Sequence, residues 1–232
     1  MDSSQIMQFY TINGVTLEIP GSFRLGLAVK NALESGRYER PELKALLMVV
    51  KPADIILEIG GGLGLIACSA AKIVGSDSVT TVEANPDLIP ILKRNLEVNN
   101  VAGVQVIFGA ATIESDLKTA DYFIGPNFTA ASLRDGGRNG AKKIQVPLVN
   151  FTSLLEQYCP STIICDAEGG EKELFATTLP RCVNTIIMEI HRSVLRPRGI
   201  AELFDGLIGQ GFSYAPKGSR GAVVCFERIK EI

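Results

Sequence analysis

Apolar residues run along this chain in two alternating periods. Ile55-Ile56-Leu57-Glu58-Ile59 is a short β-branched run that stops at glycines, and residues 65–74 follow with apolar positions at helical spacing. The pair then repeats. Residues 79–83 read as strand and 88–99 as helix, and 104–108 as strand. After a gap come 152–158 as helix, 162–166 as strand, 171–179 as helix, 185–190 as strand and 200–209 as helix. Short apolar strands alternating with amphipathic helices are the sequence form of right-handed βαβ crossovers. The expected fold is therefore α/β and Rossmann-like, with a mostly parallel sheet and helices on both faces.

The flanks differ from this repeat. Residues 8–19 predict two strands around Asn13-Gly14, a dipeptide suited to a tight primed turn. A polar stretch over 28–41 leads through Pro41 into a helix over 42–50. Residues 1–50 thus read as a hairpin-and-helix extension, and 51–232 as the α/β domain. Residues 112–143 hold Gly125-Pro126-Asn127 and Arg134-Asp135-Gly136-Gly137-Arg138-Asn139-Gly140, which predict a polar, flexible connection. At the end, 212–215 and 222–227 around Pro216-Lys217-Gly218-Ser219 predict an antiparallel hairpin.

Composition narrows the function classes. The 232 residues carry 23 Lys and Arg against 25 Asp and Glu, a formal charge of −2, and are 46% hydrophobic. Such a chain folds, but presents no net positive field, so neither nucleic acid nor an anionic membrane is an expected partner. No apolar run reaches the length of a membrane span. Met1-Asp2-Ser3-Ser4 lacks the order of a secretory signal, which makes the cytoplasm the expected location. The five cysteines never form a CxxC pair, so no disulfide framework or thiolate zinc site is expected. His191 is the only histidine, which disfavours any mechanism needing two imidazoles.

The chemistry begins at the first βα turn. In Glu58-Ile59-Gly60-Gly61-Gly62-Leu63-Gly64, glycines let the backbone turn sharply and approach a ligand at the carboxyl end of a strand. Glu83 ends the next strand, where a carboxylate can accept both hydroxyl hydrogens of a ribose; Ala84 and Asn85 follow it. These features predict a nucleoside-containing cofactor. Gly62, Gly64 and Ala67 also satisfy the G-x-G-x-x-A dinucleotide fingerprint. Glu58 opposes that reading, since a strand-end carboxylate repels a pyrophosphate but attracts an ammonium or sulfonium.

The Glu-x-Gly-x-Gly-x-Gly order resembles the first motif of class I S-adenosylmethionine-dependent methyltransferases, in which the acid lies near the methionine end of the cofactor. Four further segments resemble one group within that superfamily, the FkbM-type methyltransferases. They are Gly36-Arg37-Tyr38-Glu39, the stretch from Val146-Pro147-Leu148-Val149-Asn150 to Leu155, Cys165-Asp166-Ala167-Glu168-Gly169-Gly170-Glu171, and Met188-Glu189-Ile190-His191. The resemblance spans about residues 36–191. It implies S-adenosyl-L-methionine as cofactor and O-methylation of a small hydroxylated acceptor such as a sugar or polyketide. Glu58, Gly60, Gly62, Gly64, Glu83, Ala84, Asn85, Ala110 and Asp166 become the candidate cofactor residues. The third strand ends Phe108-Gly109-Ala110-Ala111 without a carboxylate or amide, so adenine would rest there on backbone and apolar groups.

Methyl transfer to an alcohol needs alignment, exclusion of water and removal of a proton. Asp166 and Glu168 follow one predicted strand and Glu189 and His191 the next, so all four can converge above the methyl group. His191 is the expected general base, with Glu189 or Asp166 orienting it; Asp166 serves equally to position the methionine part. A third possibility is that several of these oxygens hold Mg²⁺ or Ca²⁺; no ligand spacing supports it, and the expected scheme is metal-free. Arg134, Arg138, Lys142 and Lys143 read as a solvated loop, with a lid that carries positive charge to the acceptor as the functional alternative. Competing readings are an NAD(P)-dependent oxidoreductase and a catalytically silent cofactor binder.

Overall fold

A computed structural model describes residues 6–113, 117–125, 131–133 and 142–230. Strands β1 (Met7–Ile12) and β2 (Val15–Pro20) pair antiparallel around Asn13 and Gly14, which both adopt the positive φ of a primed turn (48° and 75°). Next come α1 (Leu27–Glu34) and α2 (Arg40–Val49), with Pro41 in the first turn of α2. The expected polar stretch is corrected here: residues 27–34 are helical. Only Val29 and Leu33 of α1 are buried, too few apolar positions to mark a period in the sequence.

The repeat then gives β3 (Ile56–Ile59), α3 (Leu65–Val74), β4 (Val79–Glu83), α4 (Ile89–Val98) and β5 (Gln105–Phe108). After the middle segment come α5 (Phe151–Tyr158), β10 (Thr162–Cys165), α6 (Glu171–Leu174), β11 (Thr185–Glu189), α7 (Arg192–Gly209), β12 (Phe212–Arg220) and β13 (Val223–Arg228). The main sheet has the order β12-β13-β11-β10-β3-β4-β5, parallel from β11 to β5 and antiparallel at β13 and β12. It is the expected Rossmann-like sheet with its terminal hairpin.

The central strands β3, β4 and β10 are buried on both faces, which explains how little of them is charged. Ile56, Ile164 and Ile187 face one layer, with α2, α3, α4 and the β1-β2 hairpin. Leu57, Ile163 and Ile186 face the other, with α5, α6 and α7. Each fully buried aliphatic side chain contributes about 1.5–3 kcal/mol of transfer free energy.

The middle segment is more ordered than its composition predicts. Strands β6 (Ala110–Thr112), β7 (Thr119–Ile124), β8 (Ala131–Ser132) and β9 (Lys142–Asn150) form a second sheet in the order β6-β9-β7-β8. Pro147 is tolerated within β9 because pairing changes partner there, from β7 through residue 147 to β6 from 148 onward. Pro126-Asn127 and the Arg134–140 stretch lie outside the described residues. Lys143 sits on β9 and pairs with Asp121 at 2.6 Å. Two helices also differ from their expected bounds. The chain after α6 is held by the Gln210 side chain, which donates to Phe175 and Thr177 carbonyls and accepts from the Leu179 amide. Helix α7 begins early, with a break at Arg196 (φ 57°, ψ 169°) before Pro197.

Candidate functional site

Strands β3 and β10 are neighbours, yet β3 leads on to β4 and β10 to β11 on opposite sides, so a crevice opens over their carboxyl ends. The glycine turn forms its floor. Gly60 has φ 93° and packs against the Asp166 backbone so closely that a Cβ would collide with the Asp166 carbonyl. Its amide donates to Val82 at 2.9 Å. Gly62, at φ 52°, donates its amide to Glu83 Oε2 at 2.8 Å, and the Asn85 amide donates to Glu83 Oε1 at 2.6 Å. Glu83 thus ties the turn after β3 to the turn after β4, and its carboxylate lines the cleft with acceptor capacity left for a ligand.

Asn95 on α4 supports this turn from behind. Its amide donates to the Leu63 carbonyl at 2.8 Å and its Oδ1 accepts from the Glu18 amide at 2.7 Å, so the β1-β2 hairpin, α4 and the glycine turn share one buried side chain.

Above the floor is a cleft of about 380 Å³, within the range of ordinary ligand sites. Gly60, Gly62, Glu83, Ala84, Ala110, Asp166 and Glu168 of the expected residues line it. Tyr38, Glu39 and Tyr122 join them. The other expected residues stand behind the wall. Gly64 starts α3, and Asn85 is buried beside Glu83. Glu58 and Glu189 face a second, much smaller space of about 20 Å³, shared with Glu39, Glu42, Gly60 and Asp166. No Lys or Arg lines either space among the described residues.

His191 also lies outside the lining of the cleft. Its Nδ1 is 2.7 Å from Oε1 of the fully buried Glu171, while its Nε2 lies 3.5 Å from both Asp166 Oδ1 and Glu168 Oε2. Burial alone would lower the histidine pKa; the hydrogen bond to Glu171 and the charges of Glu171, Asp166 and Glu168 reverse this and hold it at about 9. These neighbours favour the protonated imidazole and place it where it can clamp the two carboxylates Asp166 and Glu168.

Electrostatics around it follow from burial among acids. Loss of water raises Glu58 to about 8, with the Thr81 hydroxyl pulling the other way and Glu83 adding to the rise. Burial raises Glu83 and lifts Asp166 well above the carboxylate range; His191 opposes the latter shift, and Glu189, Glu168 and Glu171 reinforce it. Glu39 is likewise lifted by burial, against the Tyr38 hydroxyl that bonds it. Two cleft acids, Glu39 (φ 46°) and Glu168 (φ 49°), hold left-handed backbone, a cost retained where geometry matters.

Sequence reasoning quoted Tyr38 and Glu39 within a resembling segment and left both out of the candidate site residues, although the Tyr-Glu pair ahead of Pro41 carried the signal. It placed Glu171 as the first residue of a helix and missed it as the histidine's partner. Tyr122 had no signal, lying in a segment expected to be irregular.

The sequence pattern of the protein-L-isoaspartate(D-aspartate) O-methyltransferase family matches residues 37–114. Over 72 residues the chain is 39% identical to the protein-L-isoaspartate O-methyltransferase of Pyrococcus horikoshii, covering 30% of this chain and 32% of that protein. Over 80 residues it is 31% identical to the ribosomal protein L11 methyltransferase of Acetivibrio thermocellus, covering 34% and 25%. The matches thus span about a third or less of the length of these curated relatives. Among solved structures, a putative transferase from Pyrococcus horikoshii superposes with a TM-score of 0.50 at 14% identity, covering 98% of this chain and 72% of that one. The fold is the Rossmann-like one of class I methyltransferases. No helix among the described residues is long and apolar enough to cross a membrane.

Proposed function

We propose that the chain is an S-adenosylmethionine-dependent methyltransferase that methylates a hydroxyl oxygen of a small molecule, as the FkbM-type resemblance implies. One observation carries the cofactor: a nucleoside-sized cleft over a glycine turn, ringed by Glu39, Glu83, Asp166 and Glu168 and by no described cation. A pyrophosphate is repelled there and a sulfonium attracted, which sets the nicotinamide reading aside. The donor set fits the cofactor. Glu83 would take the ribose hydroxyls, Gly60 and Gly62 would admit its backbone-facing side, and Ala84, Ala110 and Leu88 would pack the adenine. Glu58 stands under the turn, where an arriving sulfonium would favour its ionised form. When bound, S-adenosylmethionine supplies a methyl group already activated for in-line displacement.

The chain's own work is then positioning and proton removal. Glu168 lines the cleft at the tip of β10 and accepts the acceptor's hydroxyl proton in this scheme. Asp166 beside it fixes the cofactor's position. His191, held by Glu171, keeps both carboxylates oriented, and the β6–β9 sheet walls the cleft with Tyr122.

A second reading has its own support, since the family match over 37–114 points to a methyltransferase acting on isoaspartyl protein. That match ends before Asp166, Glu168 and His191, so it bears on the cofactor half and leaves the acceptor half open. Calorimetry with S-adenosylmethionine, S-adenosylhomocysteine and NAD tests the cofactor: the first two bind, and Glu83→Ala weakens both severalfold. Binding of NAD alone overturns the proposal. Radiolabelled methyl transfer to a panel of hydroxylated metabolites, with an isoaspartyl peptide beside them, separates the two acceptors.

A further inference from the structure

The small space behind Asp166 is built unlike the cleft. It has room for about one water molecule or one ion, and five carboxylates face it, from Glu39, Glu42, Glu58, Asp166 and Glu189. Three of the six buried side-chain oxygens without a hydrogen-bond partner among the described residues belong to this cluster: Glu42 Oε2, Glu58 Oε2 and Asp166 Oδ1. Glu58 is 2% exposed and lines the space, so whatever occupies it is within reach of a buried carboxylate. Buried carboxylates in such number are met either by protons or by a positive charge among them.

The geometry suits a metal. One ligand atom each from Asp166, Glu189 and His191 can be chosen so that all three lie within 4.8 Å of one another, the span of ligands around a single ion. The histidine is already prepared. Its Nδ1 is engaged by Glu171 at 2.7 Å, leaving Nε2 on the side of Asp166, which is the carboxylate–histidine arrangement that orients metal-bound imidazoles.

We propose that Asp166, Glu189 and His191, with Glu42 beside them, bind one divalent cation at the tips of β10 and β11. Carboxylate oxygens favour Mg²⁺, Ca²⁺ and Mn²⁺ while an imidazole favours later transition metals; Mn²⁺ satisfies both. The ion neutralises the space behind the cleft and fixes Asp166, the aspartate shared by both spaces. This departs from the metal-free scheme expected from spacing and is independent of the methyl acceptor.

The test uses the full chain after chelator treatment. Titration with Mn²⁺, read by electron paramagnetic resonance, gives about one saturable ion per chain, with Mg²⁺, Ca²⁺ and Zn²⁺ as competitors. Glu189→Gln and Glu42→Gln each lower the affinity tenfold or more. Because His191 is the sole histidine, its imidazole proton signals broaden at substoichiometric Mn²⁺ in the unaltered protein, a readout that needs no variant. Absence of saturable binding, or saturable binding that leaves the imidazole signals sharp, overturns the inference. S-adenosylmethionine affinity is measured separately, so a chain that binds the nucleoside and no Mn²⁺ loses only this inference, and the converse loses only the proposed function.

Discussion

Replacing Asn95 by alanine tests how the hairpin, α4 and the glycine turn hold one another. The side chain is fully buried, and its removal leaves the Glu18 amide and the Leu63 carbonyl without partners. Each orphaned buried group costs about 1–3 kcal/mol, so Asn95→Ala should lose about 3–4 kcal/mol. That is a large share of the roughly 5–15 kcal/mol of a typical domain. Asn99 provides the control. It bonds Thr16 in both directions, with its Oδ1 accepting from the amide at 3.0 Å and its Nδ2 donating to the carbonyl at 2.7 Å, but it does not reach the glycine turn. Asn99→Ala should cost about 1–2 kcal/mol, because Thr16 retains some access to solvent. Urea unfolding followed by circular dichroism gives both values. Calorimetry with S-adenosylmethionine separates the variants further, since only Asn95→Ala frees Leu63 and should weaken binding severalfold. A loss below 1 kcal/mol for Asn95→Ala, or equal effects of the two variants on cofactor affinity, refutes the reasoning.

In chelator-treated protein the His191 imidazole should titrate by NMR near 9, and Glu171→Gln should bring it to about 6.5 or lower. Because the folded value is raised, the stabilisation, about 3 kcal/mol at full strength, is complete below pH 6.5 and is lost as pH rises through about 9; a midpoint at or below 6.5 in the parent protein refutes the clamp. Gly60→Ala places a Cβ against the Asp166 carbonyl at φ 93°, whereas Gly75→Ala at φ 89° meets nothing within 4 Å. The first should cost about 3 kcal/mol or more and the second about 1 kcal/mol; equal shifts in Tm show that the close approach carries no weight.

The parts of the fold that declared themselves in the sequence are those whose apolar period survives without long-range help. Strands β3, β4, β10 and β11 are largely buried on both faces and α3 is apolar almost all round, so each reads as a short apolar or β-branched stretch with at most one charge. Strand β9 did not, because most of its nine residues are half-buried or exposed and its order comes from β6 and β7, far off in sequence. The site divides similarly. Strand-tip acids and the glycine turn follow from βα geometry alone. Which of them face the ligand depends on strand order: β10 adjoins the crevice and β11 is one strand farther out. Asp166 and Glu168 therefore reach the cleft, while Glu189 and His191 stand behind it.

That separation gives the acids two tasks. The chain as a whole is close to neutral, with 23 basic and 25 acidic side chains, so the absence of Lys and Arg from the described lining of both spaces is a local arrangement and not a consequence of composition. In the cleft, carboxylates beside apolar Ile59, Val82 and Leu88 create a negative field with little water to screen it. Such a field discriminates by charge before any hydrogen bond forms: a sulfonium gains, a neutral hydroxyl is indifferent, and a phosphate or carboxylate on the acceptor is opposed. The same field at the back wall has no organic ligand to answer it. There the unpartnered oxygens of Glu42, Glu58 and Asp166 must meet either protons or an ion, and His191, anchored on Glu171, stands where it can yield its Nε2 proton to make room for the ion.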